Sequence, residues 1–391
     1  MAPVKLIFAS DFAPIRHFAQ LMKDSPAAVY GDLLDRLKKA DYAIVNLESP
    51  LACPSGKFIA KSGAAFSGEV EHISSLAAGN FKAAVMANNH TFDCGYDGFD
   101  ISRKLLISNG ISVVGAGDDL SEARKPLAIE VNGVKIALFA ISEGEDMLGA
   151  TEKSPGVRPW EVDFLAQQIR DARKDFDVIL ISAHCGLEYQ PYPSYYVYEA
   201  FEKFSSAGAD MIIGHHPHVP QGMTFFGKTP AYFSLGNFVF YQPLPLFHRK
   251  TGYFLEFEVD RSGLISHKEV PYRIGDDALH LLAGAEKSEF EHLFAKLSAP
   301  LKTGEGALQA WHAVLAYNGI AGFENELKKI LDTMHNDPVK GAAMLRNRVS
   351  CMQHNTQWID GMSRIMTGEI STAPAELISM VEEFMTRVIE K

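Results

Sequence analysis

Short apolar runs, nearly unbroken by polar residues, alternate along much of the chain with stretches in which apolar residues recur every three or four positions. The runs Val4 to Ala9, Tyr42 to Val45, Ala83 to Ala87, Val178 to Ser182 and Met211 to Gly214 read as strands buried on both faces of a largely parallel sheet. Between them the spacing predicts helices over Ala28 to Ala40, Val70 to Ala78, Tyr96 to Asn109, Val162 to Lys174 and Tyr195 to Ala207. Pro126 to Val131 and Val134 to Ile141 flank Asn132-Gly133, a dipeptide suited to a type I′ turn, and so predict an antiparallel hairpin. Further strands are expected at Gln221 to Phe225, Ala231 to Ser234, Gly252 to Val259 and Leu264 to Tyr272, where the sheet system should end. From about Asp276 onward the apolar residues keep helical spacing, as in Phe290, Leu293, Phe294 and Leu297. The chain is therefore expected to divide into an α/β domain, residues 1–274, and an all-helical extension, residues 275–391.

Composition supports a chain folded throughout: of 391 residues, 47% are hydrophobic and 22% charged. The 48 acidic and 37 basic residues leave a net charge of −11, and no dense Lys/Arg run is present. Nucleic acid is therefore not an expected partner. An anionic substrate would need a local positive feature, such as metal ions. Cys53, Cys94, Cys185 and Cys351 are scattered, with no Cys-x-x-Cys pair, so reduced thiols are expected rather than a disulfide framework or a zinc knuckle. The apolar start Val4 to Ala9 is too short for a signal segment, and no window reaches the roughly 18 apolar residues of a membrane span. A cytoplasmic location is the resulting expectation.

The ends of the apolar runs carry the chemistry. One run stops at Asp11, the next at Asn46-Leu47-Glu48, the third at Asn88-Asn89-His90, the fourth at His184, and the last at His215-His216-Pro217-His218. In open α/β sheets, ligands bind outside the carboxyl ends of the strands, so these ends can converge although they are far apart in sequence. Carboxylate, amide oxygen and imidazole together suit one or two divalent ions of borderline hardness, Mn²⁺, Zn²⁺ or Fe²⁺. Glu48 is the candidate to bridge two such ions. His90 and Asp93 form a candidate acid-base pair, with Asp93 holding the imidazole in one tautomer and keeping it charged.

Each residue also has a structural alternative taken singly. Asp11 can cap a helix, Asn46, Asn88 and Asn89 can turn the chain, His184 can be a hydrogen-bonded core histidine, and Asp93 can cap a helix beside a structural His90. The triple-histidine run has few such alternatives. Glu188 and Tyr189 follow His184 closely enough to reach substrate or to support the ligands. Arg16, Arg249 and Lys250 could contact an anion, with a solvated surface role as the alternative. Cys351, His354 and Trp358 sit at helical spacing and read as core packing, unless that helix folds back and places His354 at the site.

Asn46-Leu47-Glu48, Asn88 to Gly95, Gly115-Ala116-Gly117, His184 to Glu188, Gly208-Ala209-Asp210, Gly214 to Val219 with Gln221-Gly222, and Ser234 to Phe238 together resemble the CapA/PgsA family. These are poly-γ-glutamate capsule biosynthesis proteins within the calcineurin-like metallophosphatase superfamily. The resemblance covers about residues 4 to 260 and implies an α/β fold, a four-layer α/β/β/α sandwich. It implies Asp11, Glu48, Asn89, His184, His216 and His218 as metal ligands, with His216 on one ion and His218 on the other. His90 falls at the position of the leaving-group acid, while Asn46, Asn88, Glu188, His215 and Asn237 fall to substrate binding or to support of the ligands. Asp11-Phe12-Ala13 departs from the superfamily's Asp-x-His, and Cys185 replaces the usual aromatic after His184. The expected activity is hydrolysis of a phosphoester or γ-glutamyl amide in a small-molecule or polyanionic substrate. The alternative is a non-catalytic accessory protein that binds a polyanion or a synthase partner.

Overall fold

The protein is described here by a computed structural model covering residues 3–389; residues 1, 2, 390 and 391, at the outer ends of the two expected domains, lie outside the described residues. The strands are β1 (Val4–Phe12), β2 (Tyr42–Leu47), β3 (Phe81–Val85), β4 (Ser112–Val114), β5 (Ala116–Gly117), β6 (Leu127–Val131), β7 (Val134–Ser142) and β8 (Gly156–Val157). They continue with β9 (Val178–His184), β10 (Met211–His215), β11 (Met223–Phe226), β12 (Thr229–Tyr232), β13 (Thr251–Asp260), β14 (Gly263–Ile274) and β15 (Leu279–Leu281). The α-helices are α1 (His17–Asp24), α2 (Leu34–Lys39), α3 (Ile73–Ala78), α4 (Gly95–Ser108), α5 (Leu120–Ala123), α6 (Val162–Ala172) and α7 (Tyr195–Ala207). After these come α8 (Phe247–Lys250), α9 (Gly284–Ser298), α10 (Gly304–Asn336), α11 (Pro338–Ser350), α12 (Met352–Met366) and α13 (Ala375–Thr386).

Side-chain alternation along β1 sets the layers. Val4, Leu6 and Phe8 enter one apolar core while Ile7 and Ala9 enter another, so the strand is buried on both faces. A seven-stranded sheet runs β15-β14-β13-β1-β2-β3-β4, and a six-stranded sheet runs β11-β12-β10-β9-β7-β6. The core between them takes Leu6 and Phe8 from the first sheet and Ile136, Leu138, Val178 and Leu180 from the second. On the outer faces, Phe18, Leu37, Leu76 and Phe99 cover the first sheet, and Leu165, Ile169, Phe201 and Phe204 cover the second. The result is the four-layer α/β/β/α sandwich that the sequence resemblance implied, followed by the helical region α9 to α13.

The predicted hairpin forms as β6 and β7, with Asn132 at φ 51° and Gly133 at φ 76°, the left-handed pair a type I′ turn requires. Other expectations need correction. The sheet does not end near residue 272: β15 adds an edge strand beyond it. The helix expected over Ala28 to Ala40 is broken at Gly31, whose φ of 46° lets the backbone press against the Leu279 carbonyl, where any Cβ would overlap. β1 does not stop before Asp11 but continues to Phe12 through a bulge between Ala9 and Asp11, which re-aims the aspartate.

The helical region has its own core, in which Leu293, Trp311, Val314, Val381 and Phe384 meet Leu187, Tyr192 and Val219 from the loops after β9 and β10. That core therefore seals the helices onto the strand ends where the polar residues gather. Among the described residues, no helix is long and apolar enough to cross a membrane.

Candidate metal centre

Both sheets deliver buried polar residues to one place. Asp11 lies in the β1 bulge, Asn46 in β2 with Glu48 just beyond it, and Asn88, Asn89 and His90 beyond β3. His184 ends β9 and His215 ends β10, with His216 and His218 in the following turn. Gly214 permits the last approach, since a Cβ there would overlap the Phe233 carbonyl. His216 at φ 98° and His218 at φ 58° occupy left-handed backbone that non-glycine residues avoid, a strain typical of residues held for a task.

Three sets of ligand atoms lie mutually within 4.8 Å: Asp11 with Glu48 and His218; Glu48 with His184 and His216; and Glu188 with His216 and His218. Glu48 belongs to two of these sets, with its Oε1 3.5 Å from His184 Nε2 and 3.6 Å from His218 Nε2. These separations are too long for hydrogen bonds and fit atoms aimed at a common point. Both Glu48 oxygens, Asp11 Oδ2 and His216 Nδ1 are buried without a hydrogen-bond partner among the described residues. A buried carboxylate left this way is costly unless a cation answers it, so the donor set fits divalent metal.

The electrostatics agree. Burial, then the neighbouring Asp11 and Glu188, push the Glu48 carboxyl well above the usual range, as expected where negative groups converge. Burial tends to raise Asp11 as well, but hydrogen bonding and charge from His215, with help from His218 and Asn46, bring it below its ordinary value. Burial holds His184 well below its ordinary value and lowers His218, leaving neutral imidazoles whose lone pairs can ligate. A proton on Glu48 therefore competes with metal. Affinity for Mn²⁺ should fall as pH is lowered, by up to about tenfold per unit while Glu48 alone titrates, in chelator-competition titrations; a flat profile would contradict this arrangement.

The neighbours fix the ligands. Asn46 Nδ2 donates to Asp11 Oδ1 (2.8 Å) and lies 3.2 Å from His184 Nδ1. Asn88 Nδ2 donates to Asn46 Oδ1 (3.2 Å) and to the Leu47 carbonyl (2.8 Å), which makes Asn88 part of the frame. Asn89 Oδ1 sits 3.0 Å from His184 Nε2, and Asn237 Oδ1 sits 2.9 Å from His218 Nδ1, which turns His218 Nε2 toward Glu48. His215 Nδ1 packs 3.3 Å from Asp11 Oδ1, and this residue falls in none of the three sets. Glu188 is the outermost, with its side chain 40% exposed and its Oε1 4.0 Å from His218 Nε2.

His90 Nδ1 is 2.7 Å from Asp93 Oδ2, and Lys61, absent from the sequence reading, sits 2.9 Å from Asp93 Oδ1. Burial and the Lys61 ammonium outweigh Asp93, so the His90 pKa is lowered. The expectation that Asp93 keeps His90 charged is thereby corrected: Asp93 is shared with a lysine. Phe66 donates its backbone N–H to Asp93 Oδ2 (2.6 Å) and lays its ring 4.5 Å from His90.

Two cations ride on aromatic rings beside this centre. Arg249 lies 3.7 Å from the centroid of Tyr189, which faces His218, and Arg16 lies 5.9 Å from that of Phe66. Among the described residues, neither arginine has an acidic partner within ion-pair distance. The helical region also reaches in, because Gln353 Oε1 is 2.8 Å from His216 Nε2 and His354 Nε2 is 3.7 Å from Glu145 Oε1. The core-packing reading of His354 is replaced by its alternative: Cys351 is buried and Trp358 packs on Phe323, but His354 turns to the site.

The profile of the bacterial capsule synthesis protein family PGA_cap matches residues 5–242. The chain belongs to this family. Among PGA_cap relatives, the PGA biosynthesis protein CapA of Bacillus subtilis is 30% identical over 252 residues, covering 62% of this chain and 66% of that protein. The capsule biosynthesis protein CapA of Bacillus anthracis is 31% identical over 214 residues, covering 53% and 52%. The chain thus spans between about half and two-thirds of these relatives' lengths. Solved structures with a similar chain course include the NAD nucleotidase of Haemophilus influenzae, with 14% identity, a TM-score of 0.44 and coverage of 75% of this chain and 56% of that one. The 5′-nucleotidase precursor of Thermus thermophilus has 14% identity, a TM-score of 0.43 and coverage of 75% and 59%.

Proposed function

We propose that this PGA_cap protein is a metal-dependent hydrolase acting on an anionic substrate, at a phosphoester or a γ-glutamyl amide. The observation that carries the reading is Glu48: buried, with both oxygens unanswered, and common to two ligand sets. Asp11, Glu48 and His218 would hold one ion and Glu48, His184 and His216 the other, with Asn89 adding an amide oxygen beside His184. When bound, such ions supply Lewis acidity at the scissile group and activate water. His90, anchored through Nδ1 on Asp93, is placed to exchange a proton with the leaving group at Nε2. Arg16 and Arg249 supply positive charge beside the centre in a chain of net charge −11. The chemistry belongs in this reading to residues 1–274, acting in the cytoplasm.

The test is turnover by protein whose metal content has been measured by elemental analysis. Hydrolysis of aryl phosphate mono- or diesters, or of γ-glutamyl peptides, is the expected result, and it should disappear with the metal on chelation. Metal-loaded protein that turns over none of them would contradict the enzyme reading and favour an accessory role in binding a polyanion or a synthase.

A further inference from the structure

The family match ends at residue 242, yet three separate segments around the centre are held from beyond it. Gln353, at the start of α12 and only 1% exposed, places Oε1 2.8 Å from His216 Nε2. Asn347 in α11, fully buried, donates to Glu145 Oε1 (2.7 Å), while Glu145 Oε2 accepts from Asn89 Nδ2 (2.8 Å). Lys340, also in α11, donates to the carbonyls of Lys61 (3.1 Å) and Gly63 (2.7 Å), in the loop that brings Lys61 to Asp93. One pair of consecutive helices therefore touches the surroundings of His216, Asn89 and His90 together.

We propose that α11 and α12 are an integral part of the metal centre, with Gln353 as the positioning residue for His216 and Asn347, through Glu145, for Asn89. The inference rests on the metal-centre reading above and deepens it. His216 has two ring nitrogens with different surroundings: Nδ1 is buried and unanswered, and Nε2 meets the Gln353 carbonyl oxygen. An acceptor on Nε2 fixes the tautomer with Nε2–H, leaving the lone pair on Nδ1 for the ion. The need for an outside hold is physical, since His216 sits on strained backbone at φ 98° and its ring would otherwise be free to turn. The same logic applies to Asn89: with Nδ2 committed to Glu145, its Oδ1 faces His184 as the oxygen donor.

The experiment is calorimetric titration of Mn²⁺ into metal-stripped, full-length protein, comparing wild type with Gln353→Leu and Gln353→Glu. Gln353→Leu removes the acceptor and should weaken one binding event by about 10- to 100-fold, the range typical of lost outer partners. Gln353→Glu keeps an acceptor at the same reach and should restore affinity, which a merely structural role would not do. Melting in excess chelator shows which variants are folded at the titration temperature, and the comparison is made among those, because loss of a buried hydrogen bond costs stability with or without metal. Should Gln353→Leu not fold, Gln353→Asn withdraws the same acceptor by one methylene and is judged by the same criterion. Wild-type affinity in the variant lacking the acceptor overturns the role of Gln353. Absence of any Mn²⁺ binding by the wild type overturns the metal centre itself, so the two failures are distinguishable.

Discussion

Glu48→Gln is expected to remove tight binding of both ions, because its carboxylate is the one group common to the Asp11/His218 and His184/His216 sets. The amide keeps the shape and hydrogen-bonding capacity of the neutral acid but offers no charge. The loss should exceed the roughly 100-fold ceiling usual for an outer partner. Thermal melting with and without chelator gives an independent readout. A ligand present at about 1,000 times its Kd stabilises the folded state by about 4 kcal/mol, so chelation should lower the wild-type transition distinctly. The Glu48→Gln transition should not move. Two ions bound by Glu48→Gln with wild-type affinity would contradict the shared-carboxylate arrangement.

The second large effect belongs to His90. Replacement by alanine should lower kcat by about 10²- to 10⁴-fold, the usual share of a positioned proton donor or acceptor, with metal content unchanged. The loss should depend on the leaving group: small for p-nitrophenolate, which departs without a proton, and large for an alkoxide or amine. Asp93→Asn should show the same dependence in weaker form, since Lys61 would lose its partner 2.9 Å away and the His90 ring its anchor. A uniform loss across leaving groups would assign His90 to binding or folding instead.

Much of this is legible in the sequence, for a physical reason. Strand ends carrying Asp11, Glu48, Asn89, His184 and the His215 to His218 run are local features, and strand-helix alternation brings such ends to one edge. Lys61 was not legible because it lies in a loop whose position is set by contacts with Asp93 and Lys340, far away in sequence. Gln353 and Asn347 were hidden for the same reason. Glutamine and asparagine on helices carry no chemical signature, and only the packing of Trp311 and Phe384 with Leu187 and Val219 decides that those helices cover the site. His354 was visible at helical spacing beside Trp358, but periodicity cannot distinguish a face turned to the core from one turned to a polar centre. The sequence displays Asp93 beside His90 but not the competing Lys61 ammonium, which the fold brings to the same carboxylate. The bulge at Asp11 and the break at Gly31 likewise depend on register and on a neighbouring strand, which no local pattern encodes.

The central claim is that the buried carboxylates and imidazoles are a metal centre. Its most direct test is a crystal structure of the purified protein with anomalous diffraction recorded at the Mn, Fe and Zn edges. The account predicts anomalous density bounded by Asp11, Glu48, His184, His216 and His218, with Glu48 touching every ion found. A well-ordered structure in which those five side chains surround only water, after growth and purification with these metals supplied, would contradict it.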